Sequence, residues 1–279
     1  MGIPLAVTAA PTHKILFFSK SSGYEHSVIS WGGSKPSFAD KIFTELGEKN
    51  HWTFEFSKDG SKFSPAYLAE FDTVIFYTTG DLTTTGTDGQ PGMTAAGKQA
   101  LFDYVKGGKG FIGLHSATDT FHTDKDAGLT PASDKDAYVC MIGAEFLGHG
   151  DQQEATNAVT DSKFPGLASA GKSFCFNEEW YALKNFNPDM HVLTVINAPA
   201  MKGDPYKRPP YPTTWARKEG KGRVYYTAMG HRDDIWTNPV FQEMLVGAIH
   251  WTCGDVKADV SPNFSKVAPG AVPLAAPSK

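Results

Sequence analysis

The sequence predicts an α/β protein: a mostly parallel central sheet, helices on both of its faces, and a mixed extension of that sheet in the second half. Three observations carry this. Short apolar runs at residues 15–18, 73–77 and 110–114 suit strands buried on both faces. Between them, apolar residues recur at helical spacing, so strand and helix alternate. Beyond residue 150, strand-like runs follow one another with few helices between them, which points to mixed pairing. With no internal repeat and no sharp break in composition, the 279 residues read as one domain over 13–254, between a short start (1–12) and a tail (255–279).

His13 and Lys14 lead into the first run, Ile15-Leu16-Phe17-Phe18, and residues 19–34 form a polar, glycine-containing loop. Phe38, Ile42, Phe43 and Leu46 then share one helix face. Residues 52–56 are strand-like, and 73–77 form the second buried run. A threonine-rich loop (78–92) precedes a helix that Thr94 caps and Gly107-Gly108 stops. The third run is Gly110-Phe111-Ile112-Gly113-Leu114. Residues 136–146 read as a helix, and 155–160, 173–176, 191–196, 213–217 and 223–228 as strands. The last helix is the best signed: Asn238 caps it, Pro239 takes its first turn, Phe241, Leu245, Ala248 and Ile249 share a face, and Gly254 ends it. The tail, rich in Pro, Ala, Val and Ser, is expected to be extended on the surface or disordered. The start, MGIPLAVTAAPT, lacks a basic region and a long apolar stretch. It is either a disordered start or the small-residue end of a removed leader, so a secreted or periplasmic location and a cytoplasmic one both stay open.

Lys plus Arg number 26 against 30 Asp plus Glu, a net charge of −4, which argues against a broad surface for nucleic acid or anionic membrane. No run of about 18 apolar residues exists to span a bilayer. Three widely spaced cysteines, Cys140, Cys175 and Cys253, suit neither a disulfide framework nor a cysteine-rich zinc site. Nine histidines are the more telling number.

Ligands of open α/β sheets bind outside the carboxyl ends of the strands. That rule selects Tyr24 and His26 after the first run, His115 and Asp119 after the third, and His231 after the run at 223–228. Gly113-Leu114-His115-Ser116-Ala117 has the small-x-nucleophile-x-small form of a tight strand-to-helix elbow, with His115 at its centre. An imidazole there can serve as base, acid or metal ligand; the bland alternative is a residue that only caps a turn.

Four segments in order carry a resemblance: Gly113-Leu114-His115-Ser116-Ala117-Thr118-Asp119, Gly143-Ala144-Glu145-Phe146-Leu147-Gly148-His149, Asn177-Glu178-Glu179-Trp180-Tyr181, and Gly222 to His231. Together they resemble the ThuA-like, or trehalose-utilisation, family over nearly the whole chain from His13 to Gly254. The resemblance implies a flavodoxin-like, three-layer fold similar to class I glutamine amidotransferases. It also implies a link to carbohydrate metabolism, in some members to keto-sugar glycosides. Where that family often has proline after the Gly-His step, Gly150 stands here. A glutaminase of this fold needs Cys at the elbow, and His115 occupies it, so ammonia transfer from glutamine is not expected. Ser116, one position on, is turned away from the exposed point.

His115, Glu179 and His231 are the candidate catalytic groups; a raised pKa is expected for Glu179 in its aromatic setting. Tyr24, His26, Asp119, His149, Gln153, Trp180 and Tyr181 are the candidate substrate contacts. Aromatic rings pack on the C–H faces of a sugar while His, Asp, Glu and Gln take its hydroxyls. Phe121, Trp215 and Trp236 also fall in loops or at strand ends, and His122 lies near the elbow. No nucleotide-binding glycine motif is present. A divalent, zinc-like metal is one use for the histidines and Glu179, with ligands converging from separate loops. The expected partner is a small sugar; a homo-oligomer stays open. Two readings result: an enzyme acting on glycosides or keto-sugars by His/Glu acid–base chemistry, or a sugar-binding or interaction module that has lost catalysis.

Overall fold

The first apolar run forms β1 (His13–Phe18), fully buried from Ile15 onward. The computed structural model describes residues 13–33, 35–121 and 136–271; the expectations for 1–12, His122 and the last eight residues lie outside them. After β1 come β2 (Trp52–Ser57), β3 (Thr73–Phe76), β4 (Gly110–Leu114), β5 (Glu145–His149), β6 (Gln153–Val159), β7 (Ser173–Glu178), β8 (Tyr181–Lys184), β9 (His191–Ile196), β10 (Tyr211–Glu219) and β11 (Gly222–Thr227). Nine of them form one sheet in the order β2-β1-β3-β4-β11-β10-β9-β6-β7. The half from β2 to β11 is parallel, and every later pairing is antiparallel. β5 and β8 form a separate antiparallel ribbon.

The helices are α1 (Phe38–Asn50), α2 (Pro65–Leu68), α3 (Ala95–Lys106), α4 (Ala137–Ile142), α5 (Asp233–Trp236), α6 (Pro239–Cys253) and α7 (Phe264–Val267). α1 begins on a reciprocal cap: the Asp40 amide donates to Ser37 Oγ at 3.1 Å and the Ser37 amide to Asp40 Oδ2 at 2.9 Å. α5 touches both α1 and α6, α2 touches α3, and these groups flank the sheet as a three-layer α/β sandwich. The helix expected over 136–146 stops at Ile142, because Gly143 turns left-handed at φ 103° and ends it; Glu145 and Phe146 begin β5 instead. Among the described residues no helix is long and apolar enough to cross a membrane.

The tail departs from expectation. Its described part, to Ala271, is mostly without regular structure but carries α7, and Phe264, Ala268 and Ala271 are buried. Asn263 Oδ1 accepts from the Val192 amide at 2.7 Å, and the Ser261 carbonyl accepts from His191 Nδ1 at 2.7 Å. Composition shows loss of period but not the few anchors that dock such a segment.

At the amino end of the sheet His13 bridges two carboxylates, Asp72 at 3.0 Å and Asp255 at 2.8 Å. Burial opposes its protonation, but the two carboxylates outweigh that and raise it above its ordinary 6.5, while Asp72 and Asp255 are held below their ordinary 3.8. The raised imidazole contributes fully below 6.5, and its contribution is lost as pH rises through the folded value. The lowered carboxylates contribute above 3.8, and theirs is lost as pH falls through their folded values. His13→Asn is therefore expected to destabilise by ~1 kcal/mol near pH 5.5, a figure kept small by solvent screening of the part-exposed acids. The difference should vanish toward pH 9. Urea melts at the two pH values check this, and an equal loss at both would refute it.

The two halves of the sheet meet at their ends. β11 and β7 stand four strands apart, a separation of roughly 19 Å in a flat sheet. Yet Glu178, the last residue of β7, bonds the backbone just past β11, accepting from the Gly230 amide at 2.9 Å and the His231 amide at 3.1 Å. The antiparallel half is curled back across the carboxyl ends of the parallel half.

Candidate functional site

The elbow forms directly after β4. His115 has φ 42°, one of four non-glycine residues with positive φ among those described, and starts a 3-10 turn through Asp119. Such a conformation costs on the order of 1–3 kcal/mol and needs support. Tyr226 Oη donates to the His115 carbonyl at 2.8 Å. A side chain at Gly113 would meet Ile142 at 2.7 Å, which is why the flank must be small. β4 and β11 are paired to their ends, Leu114 opposite Thr227, so His115 lies beside Ala228. The His115 Nδ1–H donates to the Ala228 carbonyl at 2.9 Å and leaves Nε2 turned toward Glu179. Ser116 is fully buried and does not line the pocket.

His26 comes from the loop after β1, and its ring centre lies 5.0 Å from that of His115 and 5.2 Å from that of His231. Burial, then the neighbouring imidazoles, push His26 down to about 2, so it stays neutral. The Gly230 carbonyl accepts from Tyr77 Oη at 3.1 Å and Trp236 Nε1 at 2.7 Å; its glycine, at φ 124°, turns the chain so that His231 enters the site.

Glu179 is the hub. Its carboxylate lies 3.1 Å from His231 Nδ1, 3.4 Å from His115 Nε2 and 3.4 Å from His149 Nδ1. The expectation of a raised pKa is corrected. Burial does push the carboxyl up, but the His115 and His231 imidazoles outweigh it and hold Glu179 well below the usual carboxylate range. His231 is correspondingly raised: burial lowers it and Glu179 overrides that. Glu178, passed over in favour of its neighbour, is fully buried and serves the backbone. Besides the two amides after β11, its other oxygen accepts from the Glu179 amide at 2.8 Å.

These groups open into a pocket of about 510 Å³, within the usual range for small ligands. Tyr24, His26, Asp119, His149, Glu179, Tyr181 and His231, all chosen from the sequence, line it together with Phe146 and Gln152, which were not. Tyr24 is 68% exposed at its rim, while Tyr181 is buried and its ring centre lies 4.2 Å from that of His115. Register explains Phe146: in the β5–β8 ribbon His149 pairs with Tyr181, and Phe146 packs on Tyr181 at 4.2 Å.

Two expected contacts are not in the pocket. Gln153 turns outward and clasps a loop, its Nε2 donating to the Lys202 carbonyl at 2.9 Å and its Oε1 accepting from the Lys202 amide at 2.8 Å. Trp180 is fully buried between two pocket residues and donates to the Gln153 carbonyl at 3.2 Å. Trp215 and Trp236 are likewise core, and Phe121 is buried. Asp119 lines the pocket, whereas the orientation of His115 comes from Ala228. No cysteine is among the lining residues.

The profile of the trehalose-utilisation family, ThuA, matches residues 14–252. Among solved structures, a protein of Bacteroides uniformis described as ThuA-like superposes with a TM-score of 0.69 at 23% identity, covering 95% of this chain and all of that one (100%). A second ThuA-like protein, from Parabacteroides merdae, gives 0.62 at 15% identity, covering 91% and 94%. A cytoplasmic protein of Salmonella typhimurium gives 0.53 at 13% identity, covering 85% and 98%. At these identities the likeness is one of fold. No curated protein matches the chain by sequence.

Proposed function

The chain belongs to the trehalose-utilisation (ThuA) family, and from that premise we propose that it is an enzyme acting on a glycoside or keto-sugar. The single observation that supports this best is Glu179 ringed by His115, His149 and His231 at 3.1–3.4 Å on the floor of an aromatic-walled pocket. A keto group makes the adjacent C–H acidic. A base in the cluster takes that proton, the C–H pair forms a C=C bond as the carbonyl pair moves onto oxygen, and the resulting enolate either expels the alkoxide on the carbon beyond or, once the proton of the hydroxyl on the deprotonated carbon has passed to the enolate oxygen, is reprotonated at the former carbonyl carbon. The first outcome is elimination of a glycoside and the second is isomerisation; both need stabilisation of an oxyanion. Tyr24 and Tyr181 suit the C–H faces of the ring, and Asp119, His26 and Gln152 its hydroxyls. Glutaminase chemistry has no nucleophile here, since the elbow carries His115.

The test is turnover. The protein, supplied with divalent cations, is incubated with 3-keto-glucosides and with plain disaccharides, beside His149→Ala. His149 has a side chain 43% exposed, so this variant should fold normally. Turnover of the keto-sugar is expected, with a loss of ~100-fold or more in His149→Ala. Saturable binding with no turnover of any sugar would instead make the protein a binding module. Equal rates in the variant would remove His149 from the chemistry.

A further inference from the structure

We infer that His26, His115, His231 and Glu179 hold one divalent transition-metal ion. Whether the ion binds is independent of the sugar reading; what it would do there rests on that reading.

Each of the four residues offers one ligand atom, and all four atoms lie within 4.8 Å of one another. They arrive from four separate loops at the carboxyl edge of the sheet, so the grouping is a product of the fold and not of local sequence. Metal–ligand bonds of 2.0–2.1 Å in a tetrahedral shell set ligand atoms about 3.3–3.4 Å apart. Glu179 stands 3.4 Å from His115 Nε2 and 3.1 Å from His231 Nδ1. Those spacings also suit ion pairs with Glu179, and the poor alignment of the ring nitrogens favours a shared cation. His115 Nε2 and His231 Nδ1 are buried, and neither lines up as a hydrogen-bond donor or acceptor; His26 Nδ1 is buried in the same condition. Three imidazole nitrogens lacking hydrogen bonds around one ionised carboxylate are what a shared cation would satisfy.

The surroundings agree. His115 Nδ1–H is committed to the Ala228 carbonyl, the outer hydrogen bond that typically fixes a metal-bound imidazole. Three nitrogens and one carboxylate suit zinc, iron, cobalt, nickel or manganese better than magnesium or calcium. His115 lies behind the floor, while His26, Glu179 and His231 face the pocket, so a ligand that expanded the shell beyond these four residues would reach the ion from the cavity. There an ion would take two adjacent sugar oxygens, a carbonyl and its neighbouring hydroxyl. Proton transfer would pass to His149, which approaches the other carboxylate oxygen of Glu179 from the pocket side.

The experiment uses the full chain, stripped with chelator and titrated with ZnCl₂, CoCl₂ and MnCl₂ in the absence of sugar. Stoichiometry is read by elemental analysis, ligation by the visible spectrum of bound Co²⁺, and stability by thermal melts. One equivalent per chain and a raised Tm are expected for at least one of the metals. Glu179→Gln and His231→Ala should each weaken binding by more than ~100-fold, beyond the effect of losing an outer partner, while His149→Ala keeps one equivalent. Circular dichroism confirms that each variant is folded, and the second stands in if the first is not. No binding by wild type, or equal binding by both cluster variants, would overturn the site. Metal binding without sugar turnover would sink the proposed function and leave the site standing. Turnover by metal-free protein would leave the proposed function standing and overturn the role given to the ion in it.

Discussion

Glu178→Ala is expected to be the most destabilising single change around the pocket, at ~3–5 kcal/mol. The carboxylate is fully buried and accepts from three backbone amides, those of Glu179, Gly230 and His231. Alanine leaves all three donors in a dry place with nothing to bond. For a chain of this size the loss corresponds to a fall in Tm on the order of 10 °C. Glu178→Gln should recover much of it, because an amide oxygen still accepts from Gly230 and His231. Burial pushes the wild-type carboxyl up, so ionisation is disfavoured there and removing the charge carries little penalty. Thermal melts of the two variants decide this; an alanine variant within about 2 °C of wild type would show that the clasp between β7 and the 230–231 loop is unimportant.

Its neighbour should behave in the opposite way. Glu179→Gln is expected to reduce kcat of the sugar reaction by ~1,000-fold or more, since it removes the charge around which the imidazoles are arranged. The cost in stability should be smaller, about 1–2 kcal/mol, and its pH dependence has a definite sign. The folded carboxyl lies below its ordinary 4.5, so its contribution is present above pH 4.5 and is lost as pH falls through the folded value. The stability gap between wild type and Glu179→Gln should therefore close on acidification. Steady-state kinetics with melts at pH 7 and pH 3 check both halves. A variant with normal kcat would take Glu179 out of the chemistry.

The parallel half of the fold was legible because a strand buried on both faces must be apolar throughout, as 15–18 and 110–114 are. The elbow was legible because small flanks around one bulky polar residue have few other uses; His26, His115 and His231 were legible because each follows a strand, and His149 through the family resemblance. What failed depended on contacts between distant segments. Gln152 and Gln153 are chemically alike, and only the β6–β7 register, which pairs Gln153 with Glu178, decides which one faces the cavity. Trp180 looked as good a sugar platform as Tyr181, but successive side chains point to opposite sides and Tyr181 took the pocket. The carboxyl of Glu179 was expected high from the aromatics beside it in sequence. It is low because His115 and His231, from two other parts of the chain, come closer. The start of β5 was read as the end of a helix because its apolar residues fit that period equally well, and only Gly143 signalled a stop.

The curl of the antiparallel half has a consequence for how the molecule comes into being. Residues 13–121 bring His26 and His115 but neither Glu179 nor His231, so no early portion of the chain carries a working pocket. The pocket is completed only when β7 swings onto the loop after β11, one of the long-range contacts that form slowly. Opening of that edge strand alone would undo the Glu178 clasp and take Glu179 away with it. Loss of the pocket should therefore be an early sign of unfolding, and hydrogen exchange at the Gly230 and His231 amides would report it directly.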